Sequence, residues 1–129
     1  MAKGGGGSGR GGGGGGGPDM SPAAVASRLE ALGGTRWTKG PEDRVYFDRD
    51  TIAKIGGMRV QRYRSGGISG ATLRGSKIGN SAANDIIYAM PKTAYYDLVR
   101  GTLVAREGNL RGATSQAWQA AVAAAVARR

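Results

Sequence analysis

The sequence predicts an α+β domain in which a small antiparallel sheet, built from two hairpins plus one strand, is covered by short helices. Three observations carry this. Two pairs of short runs rich in aromatic and β-branched residues, 36–39 with 44–48 and 94–98 with 102–106, each flank a turn. Apolar residues recur at helical spacing near both ends of the folding unit. No helix is placed as a long crossover between parallel strands, so an antiparallel sheet with helices packed on it remains.

Of the 129 residues 25 are glycine, and twelve of these fall within 4–17. Such a segment cannot bury enough apolar surface to fold, so residues 1–17 read as a disordered glycine-rich tail. The rest divides into an α+β domain over 18–112 and an alanine-rich C-terminal helix over 113–129, packed or semi-detached. Ser21-Pro22 opens the first helix: the hydroxyl satisfies an orphan N–H, and proline lacks the one that would be orphaned. Val25, Leu29 and Leu32 then fall at helical spacing, and Gly33-Gly34 end the helix.

The first hairpin follows, turning at Gly40-Pro41-Glu42-Asp43. Its alternation puts Val45 and Phe47 on one face, Arg44 and Tyr46 on the other. Asp50 is placed to cap a short helix over 51–55, which Gly56-Gly57 terminate. Residues 58–64 alternate as a third strand. Residues 65–79 hold five glycines and three serines and read as a loop anchored by Ile68, Leu73 and Ile78. Asn80 or Ser81 caps a helix that runs through Met90 and stops at Pro91. The second hairpin turns at Val99-Arg100-Gly101. In the alanine-rich helix, Trp118, Val122 and Val126 recur every four residues as a narrow apolar stripe.

Charge and absences narrow the chemistry. Nineteen Lys and Arg stand against nine Asp and Glu, a net +10. Lys3 and Arg10 are the tail's only charges, so +8 belongs to the body. With no Cys and no His there is no disulfide framework, thiol or imidazole catalysis, zinc ribbon or HExxH site. No cofactor motif or small-molecule substrate is evident. No apolar run approaches the roughly 18–20 residues of a membrane span, and glycine stands where a signal peptide needs its apolar stretch. The expectation is a soluble protein of a reducing compartment, the cytoplasm.

The most informative stretch is 51–84: 34 residues without an acid that hold Lys54, Arg59, Arg62, Arg64, Arg74 and Lys77, with Tyr63 among them. Arginine forks suit phosphate oxygens, and an exposed tyrosine can stack on an unpaired base. If 58–64 is a strand, Arg62 and Arg64 share one face, Arg59 and Tyr63 the other. A second basic-aromatic surface is expected on the first hairpin, from Arg36, Lys39, Arg44 and Tyr46. The neighbours Tyr46-Phe47 and Tyr95-Tyr96 each send one ring away from the core face unless a helix covers it. Residues 70–77 imitate a phosphate loop but end Ser76-Lys77 in the wrong order for nucleotide binding.

The expected function is a small, basic, non-enzymatic protein that binds DNA or RNA. The alternative is an assembly or host-factor-binding protein that oligomerises, or takes a protein partner, through Trp118, Val122 and Val126. Asp48 and Asp50 with Lys54 allow a metal-dependent nuclease as a lesser alternative, although no metal site is assigned.

Trp37-Thr38-Lys39, Asp43-Arg44-Val45-Tyr46-Phe47, Ile78-Gly79-Asn80-Ser81-Ala82 and Tyr95-Tyr96-Asp97 before Gly101, in that order, resemble small proteins of bacteriophages and mobile elements. The resemblance covers about residues 33–106. It implies a phage or mobile-element setting, in the host cytoplasm or the virion, and brings no activity onto any residue.

Overall fold

A computed structural model describes residues 17–128. The expected tail lies outside the described residues except for Gly17, and Arg129 also lies outside them. Over the described residues the fold is α+β, with four helices and two antiparallel sheets. In chain order the elements are α1 (Pro22–Ala31), β1 (Thr35–Lys39), β2 (Glu42–Phe47), α2 (Arg49–Ile55), β3 (Met58–Arg62), β4 (Ile68–Leu73) and β5 (Ser76–Ile78). They continue with α3 (Asn80–Ala89), β6 (Thr93–Asp97), β7 (Thr102–Arg106) and α4 (Ala113–Val126).

The expected single sheet is two. The hairpins β1–β2 and β6–β7 join through β2 and β6 in the order β1-β2-β6-β7. The third strand does not join them: β3 pairs with β4, and β4 with β5, in a sheet of its own. The segment 65–79 is therefore mostly strand and not an anchored loop. Its two strands meet at Arg74-Gly75, where φ is +49° and +86°. Two successive left-handed residues twist a two-residue hairpin in the sense its strands require.

Burial of one face explains each layer. Val45 and Phe47 lie opposite Tyr96 and Ala94, and this face packs on Val25, Ala26 and Leu29 of α1 and on Trp118, Val122, Ala125 and Val126 of α4. Phe47 meets Trp118 edge to face, with ring centroids 6.2 Å apart. Met58, Ile68 and Ala71 form a second core with Ala53 of α2 and Ala83 and Ile87 of α3, and Ile86 packs against both cores. α4 is thus packed, not semi-detached, along its apolar stripe.

Helix ends follow local chemistry, with shifts from expectation. The Ser21 hydroxyl accepts the Ala24 N–H at 3.3 Å, with Pro22 in the first turn. Asp48, not Asp50, caps α2, accepting the Thr51 N–H at 2.8 Å, and Asp50 stands in the first turn without a capping role. α3 starts one residue early with Gly79 as its N-cap, so neither Asn80 nor Ser81 caps it. α4 begins at Ala113, after Gly112.

Candidate nucleic-acid interface

The second sheet sets the site. Antiparallel pairing places Arg59 opposite Thr72 and Thr72 opposite Lys77, so these three form one row across β3, β4 and β5. Met58 and Ala71, on the other face, fill the core, so the Arg59 row faces outward. Arg59 and Lys77 are exposed, and across two strand spacings their backbones stand roughly 10 Å apart. Gln61 and Gly70 form the next row. This face carries no acid. Arg59, Arg64, Arg74 and Lys77 make no ion pair with any described acid.

The structure does not bring the whole sequence-predicted cluster onto this face. Arg62 is diverted to Asp50, with Nη2 donating to Oδ1 at 2.7 Å and Nε to Oδ2 at 3.1 Å. The Asp50 carboxylate holds the Arg62 guanidinium more firmly charged, against the opposing effect of burial. Arg62 and Arg64 do not share a strand face. The register shifts between Gln61 and Arg62, the strand stops at Arg62, and Arg64 lies in the turn with Tyr63. Tyr63 is 58% exposed. Arg74 leaves the sheet face as well: it lines a hollow of about 260 Å³ with Leu73, Asp85, Ile86 and the start of α4. Residues 70–77 form no phosphate loop: 70–73 lie in the central strand β4, 74–75 are a tight hairpin turn whose Arg74 N–H donates to the Gly57 carbonyl at 2.9 Å, and 76–77 belong to β5.

The expected first-hairpin surface is aromatic but largely neutralised. Arg36 grips Asp43 with two bonds, of 3.0 and 2.8 Å, and this pair lowers the Asp43 carboxyl below its ordinary range. Arg44 donates to the Tyr46 hydroxyl at 2.9 Å and to Glu42 at 3.0 Å. Its guanidinium also lies 4.3 Å from the Tyr95 ring centroid and 5.6 Å from that of Trp37. Tyr46 and Tyr95 do face away from the core. They pack on one another, with centroids 5.2 Å apart, and Arg44 lies over Tyr95, which is buried. Lys39 alone of the expected cations here is exposed without an acid partner among the described residues.

Trp118, Val122 and Val126 are buried in the chain's own core, so the stripe expected to meet a partner is occupied. The exposed residues of α4 are Ala113, Gln116, Ala120, Ala123 and Ala124. Asp48 is spent on the α2 cap and Asp50 on Arg62. Among the described residues no three Asp, Glu, His or Cys converge as a metal site would require, and no helix is long and apolar enough to cross a membrane.

Sequence reasoning missed Arg49 and Tyr88. Arg49 sets its guanidinium 5.3 Å from the centroid of Tyr88, which is 66% exposed. The only signal was Tyr88 standing off the apolar positions of its helix, beside Ile87. No protein-family model matches the chain, and no curated protein or solved structure matches it.

Proposed function

We propose that this chain is a small, basic, non-enzymatic nucleic-acid-binding protein whose phosphate-contacting surface is the outer face of β3–β4–β5 with its β3–β4 turn. The observation that carries the reading is the Arg59–Thr72–Lys77 row, two unpaired cations aligned by strand register on an acid-free face. Arg64 extends the same charge past the strand end. Flanking hydroxyl and amide groups, Thr72 and Gln61, supply neutral donors suited to phosphate oxygens. Net charge supports the assignment, since +10 over 129 residues favours an anionic partner.

The test is the salt dependence of binding to a labelled duplex, followed by fluorescence anisotropy from about 50 to about 200 mM salt. Three phosphate contacts, from Arg59, Arg64 and Lys77, give log K against log salt a slope of about −2.7. Arg59→Ala and Lys77→Ala should each flatten it by about 0.9. No binding at low salt to the duplex or to its separated strands, or a slope that the double variant leaves unchanged, would overturn the assignment.

A further inference from the structure

Buried or half-buried tyrosines keep only a polar tip in water as a rule. Two tyrosines of this molecule leave more than half of their surface open: Tyr88, at 66%, and Tyr63, at 58%. Among the described residues the next most open aromatic is Trp37, at 37%. Both tyrosines are held in place while open, and both are held from the first turn of α2.

Arg49, the first residue of α2, reaches the Tyr88 ring and anchors its own Nη2 on the Met90 carbonyl at 3.4 Å. Asp50, the next residue, holds Arg62. The remaining Arg62 nitrogen, Nη1, donates to the Gly66 carbonyl at 2.7 Å. That bond clamps the turn carrying Tyr63, which is also closed by Tyr63 N–H to the Gly67 carbonyl at 2.8 Å and Gly66 N–H to the Tyr63 carbonyl at 2.9 Å. Consecutive residues of one helical turn thus support two open rings, and a support fixed in advance lowers the ordering cost of any ligand that lands on them.

The chemistry that fits is an unpaired base beside a phosphate. A flat, open π-face set among guanidinium groups stacks bases with little regard to sequence, and duplex bases have no free face to offer. Arg49 lies against the Tyr88 ring, and Arg62 and Arg64 flank Tyr63 in the chain. Of the acids nearest in the fold, Asp50 is bound to Arg62, and Asp85, one helical turn before Tyr88, lines the hollow that Arg74 also lines. We infer that the nucleic acid this protein takes is single-stranded, with unpaired bases on Tyr63 and Tyr88 and the backbone passing Arg64 toward the Arg59–Lys77 row. The inference rests on the nucleic-acid reading above and adds the class of strand.

The experiment compares a labelled unpaired oligonucleotide with the duplex of the same sequence, using the full chain and its Tyr63→Ala, Tyr88→Ala and Tyr88→Phe variants. The single strand should bind more tightly than the duplex. Each alanine variant should lose about 5- to 150-fold for the strand, little for the duplex, and Tyr88→Phe should keep wild-type affinity because stacking uses the ring. Circular dichroism confirms that each variant is folded, as is expected for side chains this exposed. Equal or tighter binding of the duplex overturns the inference, and so do alanine variants that bind the strand like wild type. In both cases salt-dependent binding would leave the nucleic-acid reading standing. Absence of binding to either probe at low salt defeats both.

Discussion

Asp50 lies one residue ahead of the acid-free run and reaches into it, taking Nε and Nη2 of Arg62, twelve residues on. The pair is exposed on both sides, 39% for Arg62 and 52% for Asp50, so it contributes about 0–1 kcal/mol to stability. Its larger effect is on charge available to a ligand. Asp50→Asn keeps the shape and removes the counter-charge, which returns Arg62 to the phosphate-binding count. Duplex binding should strengthen and its salt slope steepen by up to about 0.9, with the melting temperature nearly unchanged. An unaltered slope in the same anisotropy titration would place Arg62 off the phosphate path. The exposure of Arg59 and Lys77 was legible from alternation and composition. The fate of Arg62 was not, because a partner outside the run is reached through a bulge that no local pattern marks. Arg44 and Arg36 were illegible for a related reason, since acids in their own hairpin neutralise them through pairing geometry.

Elements were legible where side chains announced them. Both hairpins of the first sheet carry aromatic and β-branched runs, and α1 carries its cap and proline. β4 and β5 did not show, because Gly70 and Ala71 lack the bulk that marks a strand and β5 is three residues long. Their turn, Arg74-Gly75, offers only half of the usual Asn-Gly signal. The β6–β7 turn was found as a turn, but its anchor is Asp97, whose side chain is 6% exposed. Asp97 accepts from the Val99 and Arg100 N–H groups at 3.0 and 2.9 Å and from Arg100 Nη1 at 3.0 Å. The Arg100 N–H above all holds its carboxyl below the ordinary range, against the opposing effect of burial. A carboxyl depressed by folding contributes stability above its unfolded value, near 3.9, and loses it as pH falls through the folded value. Asp97→Asn should therefore lower the melting temperature at neutral pH, a cost of about 1–2 kcal/mol, and the gap to wild type should narrow as pH falls below the unfolded carboxyl value of about 3.9. A gap that is constant from neutral to acid pH would show that the anionic form is not what anchors the turn.

At the scale of the molecule, two cores must hold each other where α2, α3 and the start of α4 meet. The alanine-rich helix was legible as a helix, but a narrow stripe of one Trp and two Val among alanines does not say which surface it will cover. It covers the first sheet, and Trp118 is wholly buried there. The start of the same helix meets the end of α2, whose Ala53 belongs to the second core and Ile52 to the first. Gly56 makes that meeting possible. A Cβ at this position would collide with the Thr114 carbonyl oxygen and stand 2.6 Å from its Cγ2. Backbone φ at Gly56 is −77°, which any residue adopts, so a substitution there costs sterically and not through backbone strain. Gly56→Ala should push α4 away from α2 and destabilise the protein by about 1–3 kcal/mol, lowering one common transition by several degrees. Gly67→Ala, whose Cβ would meet nothing nearer than Tyr63 Cδ2 at 3.8 Å, serves as the near-neutral control. Calorimetry decides between outcomes. A single transition displaced downward means that the two cores unfold as one through this contact. Two separated transitions, or a wild-type melt, would mean that Ile86 and the remaining packing join the cores without it.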